Sequence, residues 1–318
     1  MAASWTLTTG VIRPSGLELD PGGGIWVNDN DHDRLILFVG GITQTIIANA
    51  YTEGGLGVDR DGNVIETTWQ QAQRYAPPTY ALDATLLYGG PTFSGNRIGD
   101  RGLSYGRGLE VAAGQLIYGD RGRLLFWNNL WNLVNFQLAD GFVGVDDFHS
   151  RTSPEFGRMR TDGQGRLWAI YGNGGLMPEV RLYQLPLETG AVPIGRLTSP
   201  LPLLGGGELS WGEGLGLGGI DVQPECDCVW LSDASYHRAF RVRNASTEPV
   251  VDVVLGQLDI TGTECNQGRG REYPSRNSLC HPGALAFDWD GNLYVADHNL
   301  ETEGNWRLLE FDASTIPA

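Results

Sequence analysis

The feature that most constrains the fold is a pattern of short apolar segments that occurs six times along the chain. Each copy has one apolar stretch, a turn that usually contains glycine, and a second apolar stretch, as in residues 284–288 and 293–297. The apolar residues that anchor the six first stretches are Leu17, Leu56, Leu109, Met159, Ile220 and Leu285. They recur about every 40 to 65 residues, a period close to that of propeller blades. One copy is too small to cover both faces of its own sheet, so the pattern predicts a closed array of repeats.

The two ends of the sequence complete one repeat between them. The sixth copy supplies three strands before residue 312, and the stretch 4–11 can serve as its fourth and outermost strand. Radially arranged sheets that are closed in this way form a β-propeller. We therefore expect residues 1–318 to form one all-β domain, a six-bladed β-propeller with four-stranded blades whose ring is closed by the N-terminal strand.

A third apolar stretch follows the first two in several copies. In four copies an aspartate ends the second stretch and an arginine begins the third. The aspartates are Asp29, Asp120, Asp233 and Asp297, and the arginines are Arg34, Arg123, Arg238 and Arg307. This recurrence favours a structural role, in which the two side chains satisfy polar groups of the intervening turn. In the first copy Asp29, Asp31 and Asp33 also alternate as oxygen ligands do in calcium loops, so a calcium site stays open as the alternative.

The sixth copy reads GNLYVAD, followed by Arg307 and Phe311, and it resembles the NHL-repeat family of six-bladed propellers. The segments 254–268 and 278–288, which lead into it, are similar to a bacterial subgroup of NHL-repeat proteins. The resemblance extends over essentially the whole chain but is weak in the second and fourth copies. More distantly, the chain resembles gluconolactonase-like and amidating-lyase-like propellers, which implies that a divalent metal is possible. The asparagine ligands of the gluconolactonase-like metal site are not reproduced in this sequence.

Charge and residue usage exclude several classes of function. The formal net charge of −16 argues against nucleic acids and anionic membranes, because both require a basic protein surface. All 22 basic residues are arginine, which excludes lysine nucleophiles and Schiff bases. No apolar run approaches the roughly 20 residues that a helix needs to span a bilayer. We therefore expect neither a nucleic-acid partner nor membrane insertion.

One position in each predicted blade, directly after the apolar anchor, points towards the central channel. In chain order this position holds Glu18, Gly57, Glu110, Arg160, Asp221 and Ala286. Converging carboxylates raise one another's pKa or attract a cation, whereas an arginine among them forms ion pairs. We expect Glu18, Glu110, Arg160 and Asp221 to form a candidate ligand site at the channel mouth, with simple pairing between blades as the alternative.

All five histidines fall in loops that emerge on one face of the predicted ring. His32, His237 and His298 follow second strands, and His149 and His281 precede first strands. The long connections between blades lie on the same face and suit binding residues, as long loops on rigid scaffolds do. We expect a protein or small-molecule ligand on this long-loop face, close to the channel group. No cofactor is required, although calcium or a zinc ion held by histidines is possible.

The four cysteines form two close pairs. Cys265 and Cys280 bracket a loop rich in glycine and arginine, and we expect them to form a disulfide. Cys226 and Cys228 flank a single aspartate, and the sequence leaves open whether they are bonded or free. Paired cysteines in loops favour an extracellular or cell-surface location, although residues 1–10 lack the basic start and apolar stretch of a signal peptide.

These observations favour a non-catalytic domain that binds a ligand or a protein, or serves as a scaffold, within an exported bacterial protein. The alternative is a metal-dependent hydrolase or lyase with its site at the mouth of the central channel. The sequence identifies neither a ligand nor a reaction, because a propeller fold does not by itself determine activity.

Overall fold

The computed structural model contains six four-stranded antiparallel sheets. It describes residues 1–7, 13–48, 50, 55–67, 71–88, 108–120, 122–130, 138–145, 154–173, 177–213, 216–224, 226–298 and 305–317. The first strands of neighbouring blades contact one another around a common axis, and each later strand lies further out. The predicted all-β fold, a six-bladed β-propeller, is therefore confirmed.

The N-terminal strand β1 (Trp5–Leu7) belongs to the last blade, and blades 1 to 3 follow it in the chain. Blade 1 consists of β2 (Pro14–Leu19), β3 (Ile25–Asp29), β4 (Arg34–Val39) and β5 (Ile42–Ala48). Blade 2 consists of β6 (Leu56–Val58), β7 (Val64–Thr67), β8 (Gln71–Ala76) and β9 (Ala81–Tyr88). Blade 3 consists of β10 (Gly108–Ala112), β11 (Gln115–Asp120), β12 (Arg123–Asn128) and β13 (Gly141–Val143).

Blades 4 to 6 complete the ring. Blade 4 consists of β14 (Glu155–Thr161), β15 (Arg166–Asn173), β16 (Glu179–Gln184) and β17 (Gly195–Leu197), and a small hairpin of β18 (Leu201–Pro202) and β19 (Glu208–Leu209) follows it. Blade 5 consists of β20 (Leu217–Gln223), β21 (Cys228–Asp233), β22 (Arg238–Arg243) and β23 (Val250–Leu255). Blade 6 consists of β24 (Leu285–Phe287), β25 (Leu293–Ala296), β26 (Leu308–Phe311) and β1. Short 3-10 turns occur at Asn30–His32, Cys265–Gly268 and Ala313–Thr315.

The ring is closed where both ends of the chain share blade 6. Strand β1 pairs antiparallel with β26, with Trp5 opposite Glu310 and Leu7 opposite Leu308. Just before β1, the buried Ala3 packs in the same apolar cluster as Phe311. The expected closure by the N-terminal strand is therefore confirmed.

The core lies between the blades. Among the described residues, six clusters of buried apolar side chains each join one neighbouring pair of blades around the ring. Large side chains fill these seams, including the fully buried Trp26, Trp127, Trp168, Trp211 and Trp230. Since no seam belongs to one blade, a blade gains its core only from its neighbours, which explains why the ring closes.

The aspartate at the end of a second strand connects its turn to the loop that enters the blade. In blade 6 the buried Asp297 accepts the backbone N–H of Cys280 at 2.7 Å and pairs with Arg307 at 2.9 Å. The corresponding ion pairs in other blades are Asp29–Arg34, Asp120–Arg123 and Asp233–Arg238. The repeated aspartate–arginine pattern of the sequence thus has the structural role that was expected.

The two faces of the ring differ in their connections. The short-turn face carries the tight turns between first and second strands, such as 162–165 and 288–292. The long-loop face carries the turns between second and third strands and the connections between blades, such as 256–284. In the tight turns an aspartate accepts backbone N–H groups, as Asp162 does from Gln164 and Arg166 at 2.9 and 3.0 Å. These turns are therefore short and well ordered by their own hydrogen bonds.

Both cysteine pairs are bonded. Cys265 is joined to Cys280, as the sequence predicts, and Cys226 is joined to Cys228, which the sequence left open. Disulfides of this kind are typical of an oxidising compartment. Within the described parts of the chain, no helix has the length and apolar character needed to cross a membrane.

Candidate functional site

A cavity of about 670 Å³ lies at the channel axis and opens on the short-turn face. Glu18, Glu110, Arg160 and Asp221 all line it, so the structure brings the four predicted channel residues together. The rest of its wall comes from Leu19 and from the short turns and adjoining strand ends at 161–168, 222–224, 226–229 and 287–289. The sequence placed this group next to the long loops, and that placement is wrong. Each first strand runs from the long-loop face to the short-turn face. The residue after its apolar anchor therefore lies nearer to the short turns than to the long loops.

Arg160 is the centre of the group. Its guanidinium pairs with Glu18 of blade 1 and donates a hydrogen bond of 2.6 Å to the carbonyl oxygen of Leu17. It also lies 3.5 Å from a carboxylate oxygen of Glu110 in blade 3 and 3.4 Å from one of Asp221 in blade 5. One side chain of blade 4 therefore contacts three other blades across the axis.

The two further carboxylates have additional donors that fix their orientation. The Thr161 hydroxyl donates to Glu110 at 2.8 Å. Asp221 accepts the backbone N–H groups of Val222 and Phe287 at 2.7 and 2.6 Å. These bonds hold both carboxylates towards Arg160, so the arrangement is built into the walls of the channel.

Burial raises the pKa of all three carboxyl groups. For Glu18 burial is the largest cause and the neighbouring Glu110 and Asp221 add to it, so that its pKa rises to about 8 against the opposing effect of Arg160. Burial likewise raises the pKa of Glu110 and of Asp221, while Arg160 lowers both. The cavity therefore contains one carboxyl group, that of Glu18, that retains its proton near neutral pH and releases it when a positive charge approaches.

The rim of the cavity combines charged and aromatic side chains. Arg166 pairs with Asp162 at 2.7 Å and with Asp227 at 3.1 Å. Trp168 donates its indole N–H to Asp162 at 3.1 Å, which fixes its ring in the wall. Trp289 also lines the cavity and is 68% exposed, so its ring is available to a ligand.

Below the charged group the channel narrows. The anchor residues Leu17, Leu56, Leu109, Met159, Ile220 and Leu285 surround a space of only about 10 Å³. The first strands of blades 3 and 4 approach closely at Gly108, where an added Cβ would lie 2.0 Å from the carbonyl oxygen of Gly157. The apolar ring is therefore tightly packed, and the open volume lies on its short-turn side.

The predicted histidine group is only partly assembled. The rings of His237 and His281 lie edge to face with centroids 4.4 Å apart. The backbone N–H of His281 donates a hydrogen bond of 3.1 Å to Nδ1 of His237. His298 is buried, and its Nε2 has no hydrogen-bond partner among the residues that the structure describes. His32 is partly exposed and bonded to Asp29 at 2.9 Å. His149 lies outside the described residues.

In the turn of blade 1 that was considered as a calcium site, basic side chains and a backbone N–H already bind the aspartates. One carboxylate oxygen of Asp29 lies 2.9 Å from Nε of Arg34 and 2.9 Å from Nδ1 of His32. The other accepts the backbone N–H of Arg13 at 3.2 Å. Arg13 also pairs with Asp31 at 3.2 Å. Two arginines thus supply the positive charge that a calcium ion would bring.

Sequence reasoning missed the rim residues Asp162, Arg166, Asp227 and Trp289. Their turns were interpreted only as tight connections, because repeat alignment emphasises the positions that all blades share. The signal available was that Trp289 interrupts one such turn with a large aromatic residue, which a purely structural turn does not require.

No protein-family model matches the sequence, and no curated protein sequence matches it either. Solved structures do resemble it. The chain is similar to the structure of a streptogramin B lyase, with a TM-score of 0.52, 11% identity and 96% of each chain covered. It is also similar to an auxiliary nutrient binding protein from Bacteroides thetaiotaomicron VPI-5482, with a TM-score of 0.61, 11% identity, and 95% of this chain and 69% of that one covered. A chain of the mitotic checkpoint complex gives a TM-score of 0.57 at 12% identity, with 98% of this chain and 95% of that one covered. At these identities the similarity shows the propeller fold alone.

Proposed function

We propose that this chain is a non-catalytic binding domain that takes a small organic cation into the axial cavity. The observation that carries the proposal is the composition of the wall, in which six carboxyl groups face two guanidinium groups. The carboxyl groups belong to Glu18, Glu110, Asp162, Asp221, Asp227 and Asp288, and the guanidinium groups to Arg160 and Arg166. The volume lies within the range of about 300–1,000 Å³ that is usual for small-molecule sites.

Proton release supports binding of a cation in particular. Glu18 holds its proton up to a pKa of about 8, because burial disfavours its charged form. An ammonium or guanidinium group that enters the cavity favours the ionised carboxylates, so binding expels protons. The affinity for a cation therefore increases as the pH rises from about 6 to 8, whereas the affinity for an anion does not.

The exposed ring of Trp289 gives the ligand a contact at the rim. Cations are attracted to the face of an indole ring with a free energy of about 0.5–2 kcal/mol. The ring stands next to Asp288, whose side chain lines the same cavity. A ligand whose positive charge reaches the inner carboxylates can thus place a second group against the tryptophan.

The alternative function, a metal-dependent hydrolase or lyase at the channel mouth, has weaker support. A binding protein and a lyase both occur among the similar solved structures, so the fold does not decide between them. Arg160 lies between Glu18, Glu110 and Asp221, where a metal bound by these carboxylates would have to stand. A metal ion bound directly by these three carboxylates has to take the place of this guanidinium, whereas an organic cation can also pair with Asp162, Asp227 or Asp288 elsewhere in the cavity wall.

We extend the proposal to an exported protein of the NHL-repeat type. Its support is the pair of disulfides, which suit an oxidising compartment, and the repeat motif of blade 6. The ligand of such a domain arrives from outside the cell, which agrees with a site that is open on one face of the ring.

The test is a thermal-shift and calorimetry panel of putrescine, spermidine and agmatine, with citrate and glucose as anionic and neutral comparisons. We expect stabilisation by the cations and none by citrate. The Trp289→Ala variant should weaken cation binding about fivefold, which corresponds to roughly 1 kcal/mol. The matched control is Trp306→Ala on the long-loop side, a partly exposed tryptophan outside the cavity, which should bind like the parent.

Two outcomes contradict the proposal. If citrate binds and the cations do not, the charge argument is wrong. If cations bind but Trp306→Ala loses affinity while Trp289→Ala does not, the ligand occupies the long-loop face. Titration with Mn²⁺, Ca²⁺ and Zn²⁺ under the same conditions tests the metal-dependent alternative.

A further inference from the structure

We propose that Cys265, Cys280, His237 and His281 form a zinc site when the disulfide between the two cysteines is reduced. In the described parts of the chain, His237, Cys280 and His281 are the one group of three or more whose potential metal-ligating atoms all lie within 4.8 Å of one another. Cys265 is bonded to Cys280, so its sulfur lies beside the same point. Two thiolates and two imidazoles are a common tetrahedral ligand set for structural zinc.

The group is far from the axial cavity and independent of it. His237 ends the turn between β21 and β22, and both cysteines belong to the 256–284 connection that crosses this turn on the long-loop face. None of the four residues lines the cavity that we propose as the ligand site. The inference therefore stands or fails separately from the proposed function.

The oxidised form does not offer the complete set of ligands. The sulfur of Cys280 is bonded to Cys265 and is not a thiolate, and zinc binds the thiolate. Nδ1 of His237 accepts the N–H of His281. Zinc binding replaces this hydrogen bond in either case: ligation at Nδ1 uses the accepting lone pair, and ligation at Nε2 leaves the proton on Nδ1. Two thiolates must therefore be available before zinc binding can offset the loss.

The backbone brings the two histidine ligands together, and their ring centroids are 4.4 Å apart. Both residues have positive φ angles, +53° for His237 and +57° for His281, which are uncommon for residues other than glycine, although histidine is among the types that adopt them most often. This backbone conformation accompanies the close contact of the two rings.

Other bonds fix the surroundings of the four ligands without using them. The Gln257 side chain donates to the carbonyl oxygens of His237 at 2.7 Å and Glu264 at 3.1 Å, which ties the turn to the residue before Cys265. Asp297 accepts the N–H of Cys280 at 2.7 Å. The backbone around the site is therefore held in place when the sulfur–sulfur bond is opened.

The chemistry balances with a thiol as the reductant. Two molecules of a small thiol reduce the disulfide by two electrons, giving Cys265 and Cys280 as thiols and the reductant as its own disulfide. Zinc then binds both sulfurs with release of two protons, and the product with two neutral imidazoles carries no net charge. Bond lengths of about 2.3 Å to sulfur and 2.0 Å to nitrogen place tetrahedral ligands roughly 3.6 Å apart. The potential ligand atoms of His237, Cys280 and His281 lie within 4.8 Å of one another and reach this spacing by small rotations. The Cys265 sulfur, which is bonded to that of Cys280 in the oxidised form, turns towards the same point when the disulfide is opened.

The consequence is a loop with two alternative cross-links. Under oxidising conditions the disulfide closes the 256–284 connection, and under reducing conditions zinc closes it through the same cysteines and blade 5. Because zinc stabilises the thiolates, it also slows the return to the disulfide.

The experiment uses the full chain carrying Cys226→Ser and Cys228→Ser, so that only the second cysteine pair contributes thiols. The protein is reduced with a phosphine, the phosphine is removed, and Co²⁺ is added as a spectroscopic probe before displacement with Zn²⁺. We expect one Co²⁺ per chain with a thiolate charge-transfer band and tetrahedral d–d bands, and no such bands for the oxidised protein. Zn²⁺ should also raise the melting temperature of the reduced protein only.

Histidine variants distinguish this site from a metal held by two thiols alone. His237→Gln and His281→Gln, made separately, should each weaken Zn²⁺ binding at least about tenfold, since even the loss of a partner outside the ligands costs roughly 10–100-fold. The matched control His32→Gln, from the corresponding turn of blade 1, should bind like the parent. Circular dichroism of the oxidised variants confirms that they fold. The proposal is overturned if the reduced parent gives no thiolate–Co²⁺ band, or if both histidine variants bind Zn²⁺ as tightly as the parent.

Discussion

At the scale of single residues, the molecule is organised by carboxyl groups that accept several bonds each. In the channel they converge on Arg160, which contacts three other blades. In the turns they pair with one arginine and accept backbone N–H groups of the entering loop, as Asp297 does. Some of the acidic residues of the chain are therefore buried inside the fold, where their carboxylates accept hydrogen bonds from specific donors.

The raised pKa of Glu18 makes stability depend on pH. Its pKa rises from 4.5 to about 8 in the folded chain, so the folded state holds a proton that the unfolded state has lost between these values. The stability from this group is full below about pH 4.5 and is lost as the pH rises through about 8. Glu18→Gln keeps an amide oxygen for Arg160 and does not titrate. We expect urea unfolding to show a smaller decrease in the free energy of unfolding of the variant than of the parent from pH 5 to 9. Parallel pH profiles would show that Glu18 titrates normally.

The ion pair between Asp120 and Arg123 allows the contribution of the repeated aspartate–arginine pair to stability to be tested. Both side chains are almost completely buried and lie 2.7 Å apart. Asp120→Asn removes the negative charge and leaves the guanidinium buried, which costs about 3–5 kcal/mol in comparable pairs. The exposed pair of Asp31 with Arg13 is the control, and Asp31→Asn should cost no more than about 1 kcal/mol. The free energy of unfolding of both variants is measured by urea unfolding. An equal decrease in the two variants would show that the buried pair contributes no more to stability than the exposed pair.

At the scale of elements, the turns rather than the strands distinguish one face from the other. Tight turns with an aspartate recur on the short-turn face, whereas connections such as 256–284 need further cross-links on the other. The sequence predicted the strands, the closure and the Cys265–Cys280 bond, because each leaves a local or periodic pattern. It did not predict that the cavity lined by the channel carboxylates opens between the short turns. The direction in which these side chains point depends on how all six blades are assembled into the ring. The contribution of Trp289 was missed for the same reason.

The two disulfides should contribute unequally to stability. In the chain-entropy estimate, the bond that spans 15 residues contributes about 3 kcal/mol and the bond that spans 2 residues about 1.2 kcal/mol. We expect Cys265→Ser with Cys280→Ser to lower the free energy of unfolding by about twice as much as Cys226→Ser with Cys228→Ser. Both double variants are measured under non-reducing conditions without metal. A larger loss for the Cys226–Cys228 pair would contradict the loop-length argument.

At the scale of the whole molecule, the ring is stable only when every seam is filled. Each of the six apolar clusters joins two blades, and strand β1 completes the blade formed by the C-terminal strands. A rigid ring of this kind fixes residues from blades 1, 3, 4 and 5 around one axis, which no single blade could do. The candidate site is therefore a property of the closed ring.

Removal of residues 1–10 tests the closure. The deletion removes β1, exposes the edge of β26 and takes Ala3 out of its cluster. We expect a melting temperature lower by many degrees and, because an unpaired strand edge is exposed, a greater tendency to associate. The matched control is alanine substitution at the exposed Ile42 and Ile46 of the outer strand in blade 1, which leaves that strand in place. A deleted protein that melts like the parent would show that β1 does not hold the ring.

Hydrogen–deuterium exchange in the presence of saturating spermidine tests whether the ligand binds in the axial cavity on the short-turn face, as we propose. A cation bound in the axial cavity should slow exchange in the adjoining segments 161–166, 222–224, 226–229 and 287–292. The long connection 256–284 should exchange as it does in the free protein. Slower exchange confined to that connection, or no change anywhere in the ring, would show that the cation does not bind in the axial cavity.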